Sequence, residues 1–256
     1  MYIEFKNIAV SILAMAEMEL RRLRHDPLEI ITRAIQPILW ITVFGVIMAK
    51  ARAFSSVEDY ISFITPGVIL QSSTFIALAY GISLVFERDL GVLKKLLTSP
   101  IPRSSIVIGR ALAGGIRAST QYIIVLISAV AVGAKIIYNP LNLLLGYILL
   151  IYGCIGFTAL SMILAITMKT RERFMGIIGA ITMPLFFASN ALYPIDVMPE
   201  GIKYLAVVNP LTYVVDILRK LLTYNSYEIL VDIAIISVFV LISIAVAIKM
   251  LNRIIE

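Results

Sequence analysis

One stretch concentrates charge directly behind a long apolar run: Glu87-Arg88-Asp89-Leu90-Gly91-Val92-Leu93-Lys94-Lys95-Leu96-Leu97-Thr98-Ser99-Pro100-Ile101-Pro102-Arg103, followed by Ile108-Gly109-Arg110. Leu90, Leu93, Leu96 and Leu97 form one apolar stripe at helical spacing, and Ser99-Pro100 and Pro102 stop the helix. A short helix that is polar on one side and packed on the other suits contact with a soluble partner. The bland reading of Glu87, Arg88 and Asp89 is a solvated end of a span. Other polar groups sit inside apolar runs: Gln36, Gln71, Ser72, Thr74, Gln121 and Asn190. They either line a path for a transported molecule or hydrogen-bond between helices, at about 0.6 kcal/mol on average.

Several chemistries lack their residues. His25 is the single histidine and Cys154 the single cysteine, so a His-rich metal site and an internal disulfide are excluded. An intramembrane protease or lipid transferase needs a nucleophile with a base, a metal site or paired acids at membrane depth. Asp216 and Asp232 lie near the ends of apolar runs, and no acid stands mid-span. That also weighs against a proton-driven carrier. No Gly-x-x-x-x-Gly-Lys-Ser/Thr loop is present to cradle phosphates.

The elements that must position these residues are spans. The 256 residues are 60% hydrophobic and 15% charged, with mean hydropathy +0.96. A lipid-facing surface, rather than a soluble core, needs that composition. The expectation is an all-α membrane protein of one domain, residues 1–256, with about six spans. They fall at Ile30–Ala49, Ile61–Phe86, within Ser104–Ala134, and at Leu141–Met168, Phe174–Ala191 and Ile229–Ile248. Ala77 with Gly81, and Ala111 with Gly115, suit close helix packing, within one chain or between two.

Three flanking segments are expected. Residues 1–27 form an interfacial helix: Ile8, Ile12, Met15, Ala16, Leu20 and Leu23 share a side opposite Glu17, Arg21 and Arg24, with Glu19 misplaced on the apolar side. Met1 to Arg24 has no continuous apolar core and does not read as a cleaved signal. Residues 87–103 form the cytoplasmic segment. Residues 193–223, punctuated by Pro194, Pro199 and Pro210, form a pair of short amphipathic helices dipping into the outer leaflet. The net charge of +6 fits basic cytoplasmic loops better than nucleic-acid binding. Arg88, Lys94, Lys95, Arg103, Lys169, Arg171 and Arg173, with the basic termini, place both termini in the cytoplasm.

The 87–110 run resembles the signature of type-2 ABC exporter permeases: Glu-Arg-Glu-x-Gly-Thr-Leu-Glu-x-Leu, Ser-Pro, a basic residue, then Gly-Lys or Gly-Arg. Glu87, Arg88, Gly91, Leu93, Leu96, Ser99, Pro100, Arg103, Gly109 and Arg110 match. Asp89 replaces a Glu, Val92 a Thr, and Lys94 an acid, which alters the ion pairs available to a partner. Asn190-Ala191-Leu192-Tyr193-Pro194, Met198-Pro199, Asn209-Pro210-Leu211-Thr212-Tyr213 and Arg219 resemble the daunorubicin-resistance-like drug-efflux branch.

The resemblance implies two copies of this permease with two copies of an ABC ATPase subunit. ATP and magnesium would sit on the ATPase, and this chain would hold no cofactor or metal. Glu87, Arg88, Asp89, Gly91, Leu93, Lys94, Leu96, Leu97, Ser99 and Pro100 would couple the two, in a bacterial or archaeal plasma membrane. The cargo would be a small amphipathic molecule, drug or lipid, moved outward among membrane lipids. Export of a lipid-linked polysaccharide is the alternative, and a passive scaffold a third.

Overall fold

The structure, a computed structural model, describes residues 10–14, 17, 21, 27–50, 57–92, 95, 102–168 and 170–253. Every regular element among them is helical, and the chain is an all-α membrane protein. Helix α1 (Pro27–Leu39) continues through a π-helical turn at Trp40–Gly45 into α2 (Val46–Lys50). Helix α3 (Val57–Tyr80) passes through Gly81 into α4 (Ile82–Asp89). Helices α5 (Arg103–Ala118) and α6 (Thr120–Ala131) follow, then α7 (Pro140–Thr167) and α8 (Arg171–Phe187). The short helices α9 (Glu200–Val208) and α10 (Pro210–Arg219) lead through a π-helical turn at Lys220–Tyr224 to α11 (Leu230–Arg253).

Among the described residues, five helical stretches are long and apolar enough to cross a bilayer: Thr32–Lys50, Glu58–Asp89, Arg103–Ala131, Pro140–Thr167 and Leu230–Asn252. Five of the six expected spans therefore stand within a few residues of their anticipated ends. The expected span at Phe174–Ala191 is different. Its helix, Arg171–Phe187, has 17 residues. At 1.5 Å per residue that is about 25 Å, short of a hydrocarbon core of about 30 Å. The apolar run continues, but the backbone leaves the helix at Ala188, just after Pro184, and Ser189 and Asn190 lie in a buried turn.

Two helix starts carry the same local signal. Asn139 before Pro140 accepts a hydrogen bond from the Leu141 N–H at 3.0 Å, and Asn209 before Pro210 accepts one from Leu211 at 3.0 Å. Asparagine satisfies an orphan N–H, and proline at the first helical position gives up no bond.

The second span is the innermost, with 83% of its most apolar window buried, against 28% for the first and for the last. It packs on α7, whose other sides meet α5 and α11. Small residues set these distances. A Cβ on Gly81 would come within 2.7 Å of the Ser161 carbonyl oxygen, and one on Gly115 within 3.0 Å of that of Ile151. The Ala77/Gly81 and Ala111/Gly115 pairs thus pack within the chain, against α7. Cys154 is fully buried in the same helix.

Residues 10–14, 17 and 21 are helical, and Arg21 reaches Glu17 one turn earlier at 2.7 Å. Glu17 and Arg21 thus share a side; Ile8, Met15, Ala16, Glu19, Leu20, Leu23 and Arg24 lie outside the described residues.

Candidate coupling site and permeation path

At the end of the second span, Phe86 to Asp89 meet three other elements. Arg110 of α5 pairs with the Glu87 carboxylate, and their side chains are only 8% and 17% exposed. Arg88 donates from Nη1 to the Met168 carbonyl at 2.9 Å. Met168 ends α7, where a cation also complements the helix dipole. Asp89 lies 3.3 Å from the Arg171 Nε in the first turn of α8, and the Arg171 guanidinium covers the Phe86 ring at 3.6 Å. Arg103 adds a tie from α5 to Asn252 near the end of α11, at 3.2 Å. Four helix ends are thereby fixed to one another around the residues that open the charged run.

The chain then turns outward. Gly91 has φ +72°, a left-handed conformation that a side chain would strain. Leu90 is 72% exposed, and Gly91, Val92 and Lys95 are exposed beside it. Helical geometry resumes, with the Lys95 N–H reaching the Gly91 carbonyl at 3.4 Å. Leu93, Lys94, Leu96, Leu97, Ser99 and Pro100 lie outside the described residues. Glu87 and Arg88 are thus inward struts, Asp89 is half-exposed in a pair with Arg171, and an outward surface begins at Leu90. Spacing alone placed all of them on one segment. Arg110, which the motif included without a role, is the strut's other half.

The expected path residues separate into groups. Gln71, Ser72 and Thr74 in α3 and Gln121 in α6 are all buried. Ser72 donates to the Val68 carbonyl at 2.8 Å, the ordinary back-bond of a helical serine. Among the described residues, Gln71 Oε1, Thr74 Oγ1 and both amide atoms of Gln121 have no hydrogen-bond partner, and Ser73 Oγ, in the same polar run as Gln71, Ser72 and Thr74, joins them. Such groups cost about 1–3 kcal/mol each when buried unpaired. Gln36 is elsewhere, exposed in an apolar groove of the first span between Ile35, Leu39, Trp40 and Val43. Trp40 itself packs edge-on against Phe44 and Phe186 at 4.6 and 5.7 Å.

Asn190 belongs to a third group, the polar seams of the α9–α10 hairpin. Its turn lies beside the end of α8. The Asn209 amide donates to the carbonyls of Leu185 at 2.7 Å and Ala188 at 3.1 Å, while its oxygen caps α10. Tyr193 donates to the Phe187 carbonyl, Ser189 to Phe186, and Tyr213 to Val207. Each fills a carbonyl that a broken helix leaves open. Asn190 donates to Asp216 at 2.5 Å, and its carbonyl accepts from Arg219 at 2.8 Å.

Long buried apolar helices, a charged junction at one end and a self-capped hairpin near the other define a polytopic membrane protein of the permease kind. The sequence profile of the ABC-2 type transporter family matches residues 10–223, and the chain belongs to that family. It is 29% identical over 210 residues to the putative transport permease ycf38 of Cyanophora paradoxa, covering 80% of this chain and 72% of that one. It is 24% identical over 203 residues to the daunorubicin resistance ABC transporter permease protein DrrB1 of Streptomyces coeruleorubidus, covering 78% and 70%. It is 31% identical over 167 residues to the probable multidrug ABC transporter permease YbhR of Escherichia coli K12, covering 64% and 44%.

Proposed function

We propose that this chain is the membrane-spanning subunit of an ATP-driven exporter of small amphipathic molecules, drug or lipid in type. Two copies would form the pathway, and two separate ATPase subunits would bind and hydrolyse ATP with magnesium. The observation that carries this reading is the junction at Glu87–Asp89. An exposed turn at Leu90–Val92 stands directly on struts to α5, α7 and α8, so a push on that turn moves several spans together. The arginine-rich end and both termini would face the cytoplasm of a bacterial or archaeal cell, as the distribution of Lys and Arg favours. The hairpin would then enter the outer leaflet; its capped carbonyls supply what broken backbone needs there. The unpaired Gln71, Thr74 and Gln121 would meet water or cargo when the spans separate.

The test uses Leu90→Glu, an exposed position whose change leaves the packed bundle alone. An ABC ATPase that pairs with the parent chain is copurified with parent and variant, and its substrate-stimulated turnover measured. Parent chain that binds and stimulates the ATPase, with both lost in the variant, supports coupling through this turn. An ATPase that binds and responds equally to both chains rejects it.

A further inference from the structure

Pro66 sits inside the second span and has no N–H to give the Ser62 carbonyl four residues earlier; its ring also crowds that carbonyl. Inside a membrane such an opening must be filled by a neighbour. Here the neighbours all come from the hairpin region. The Thr223 hydroxyl reaches the Ser62 carbonyl at 3.5 Å. Arg219 donates from Nε and Nη2 to the next carbonyl, Phe63, at 3.4 and 3.3 Å, and its guanidinium covers the Phe63 ring at 4.0 Å. The same Nη2 donates to the Asn190 carbonyl, and Nη1 lies 3.6 Å from Asp216. Arg219 is only 5% exposed. Gly67, next in the span, lets the Ala191 backbone approach so closely that any Cβ there would collide with it.

We propose that Arg219 is a latch, clipping the α9–α10 hairpin onto a notch that Pro66 and Gly67 cut in the second span, and that its release opens this end of the bundle. The planar guanidinium suits the task, since it presents several donors in a fixed fork to two carbonyls and a carboxylate at once. The second span is one buried rod, with the notch toward one end and the Glu87 struts at the other. The opening role rests on the exporter reading; the clip itself does not.

The test therefore needs neither ATPase nor cargo. Thr212 in α10 is buried, so Thr212→Cys places a thiol under the hairpin, while the native Cys154, buried in α7, reports on the remaining core. Purified full-length chain in detergent is treated with a hydrophilic maleimide, and labelling is located by peptide mass. In the Arg219→Gln background, Thr212→Cys is expected to label about tenfold faster or more, as local opening requires, with Cys154 still protected. Arg219→Lys should fall between, because a single ammonium cannot hold both carbonyls. Pro66→Ala, which leaves Arg219 in place but returns an N–H to the span, should also speed labelling.

Unchanged labelling in Arg219→Gln, or in Pro66→Ala, overturns the latch. So does a parallel rise at Cys154, which would make Arg219 a support of the whole fold. Failure to bind an ATPase would instead count against the exporter reading and leave these labelling rates as they are.

Discussion

At the arginine end the ion pairs Glu87–Arg110 and Asp89–Arg171 join helix to helix; at the hairpin most ties run from a side chain to backbone carbonyls. Glu87 with Arg110 and Asp89 with Arg171 link helices through paired side chains, while Arg88 and Arg103 also reach carbonyls, those of Met168 and Asn252. Asn209, Tyr193, Tyr213 and Arg219 all end on carbonyls. The reason lies in what each region must satisfy. A charged pair needs any complementary partner in reach, so matched replacement is possible. An open carbonyl needs a donor at one place, so only residues of the right length and hydrogen count will serve.

Four changes would break or sharpen that contrast. The largest effect is expected from Glu87→Ala, which strands a buried Arg110 and should cost about 3–5 kcal/mol. Thermal unfolding of the purified chain measures this. Replacing both partners by Met should recover much of the loss, and a double variant as weak as the single would contradict the matched-pair reading. Asn209→Ala comes next, at about 2–3 kcal/mol, from a lost cap and two unfilled carbonyls. Asn209→Asp keeps the cap and loses the donors; if it is as stable as the parent, the carbonyl bonds carry nothing.

Gly91→Ala should cost about 1–2 kcal/mol through its left-handed backbone alone, because nothing lies within 4 Å of the added carbon. A return to parent stability in Gly91→Asn, which tolerates that region better, would separate strain from contact.

The smallest effect concerns Lys135, exposed between two helices. Its hydrogen bonds to Asp59 first, then Glu58, hold its ammonium above the usual lysine value of 10.5. A raised value means a contribution that is complete below pH 10.5 and lost as pH climbs through the shifted value. Lys135→Met should thus melt slightly below the parent at neutral pH and converge with it in strong alkali. High salt should shrink the same gap.

The spans were legible wherever apolarity and helix length coincide, as from Pro140 to Thr167. They parted company after Phe187, because an apolar run does not reveal where the backbone turns. Ser189-Asn190 and Pro184 were the available marks. Asn139-Pro140 and Asn209-Pro210 announced their helices in plain local chemistry. The inward direction of Glu87 was not legible, since its partner stands 23 residues away on another helix. Arg219 stands in the sequence only as the last residue of the block before the final span, with no partner indicated. Only Pro66, inside an otherwise apolar run, hinted that the second span carries open carbonyls needing a donor.

The deep placement of the second span has a consequence for the surrounding bilayer. Lipid chains press mainly on the first and last helices, so a thicker or thinner membrane is felt there as tilt. The rod between the charged junction and the proline notch is shielded by its own neighbours. Its length is set by internal contacts and should hold constant as the surrounding lipids change with temperature or growth.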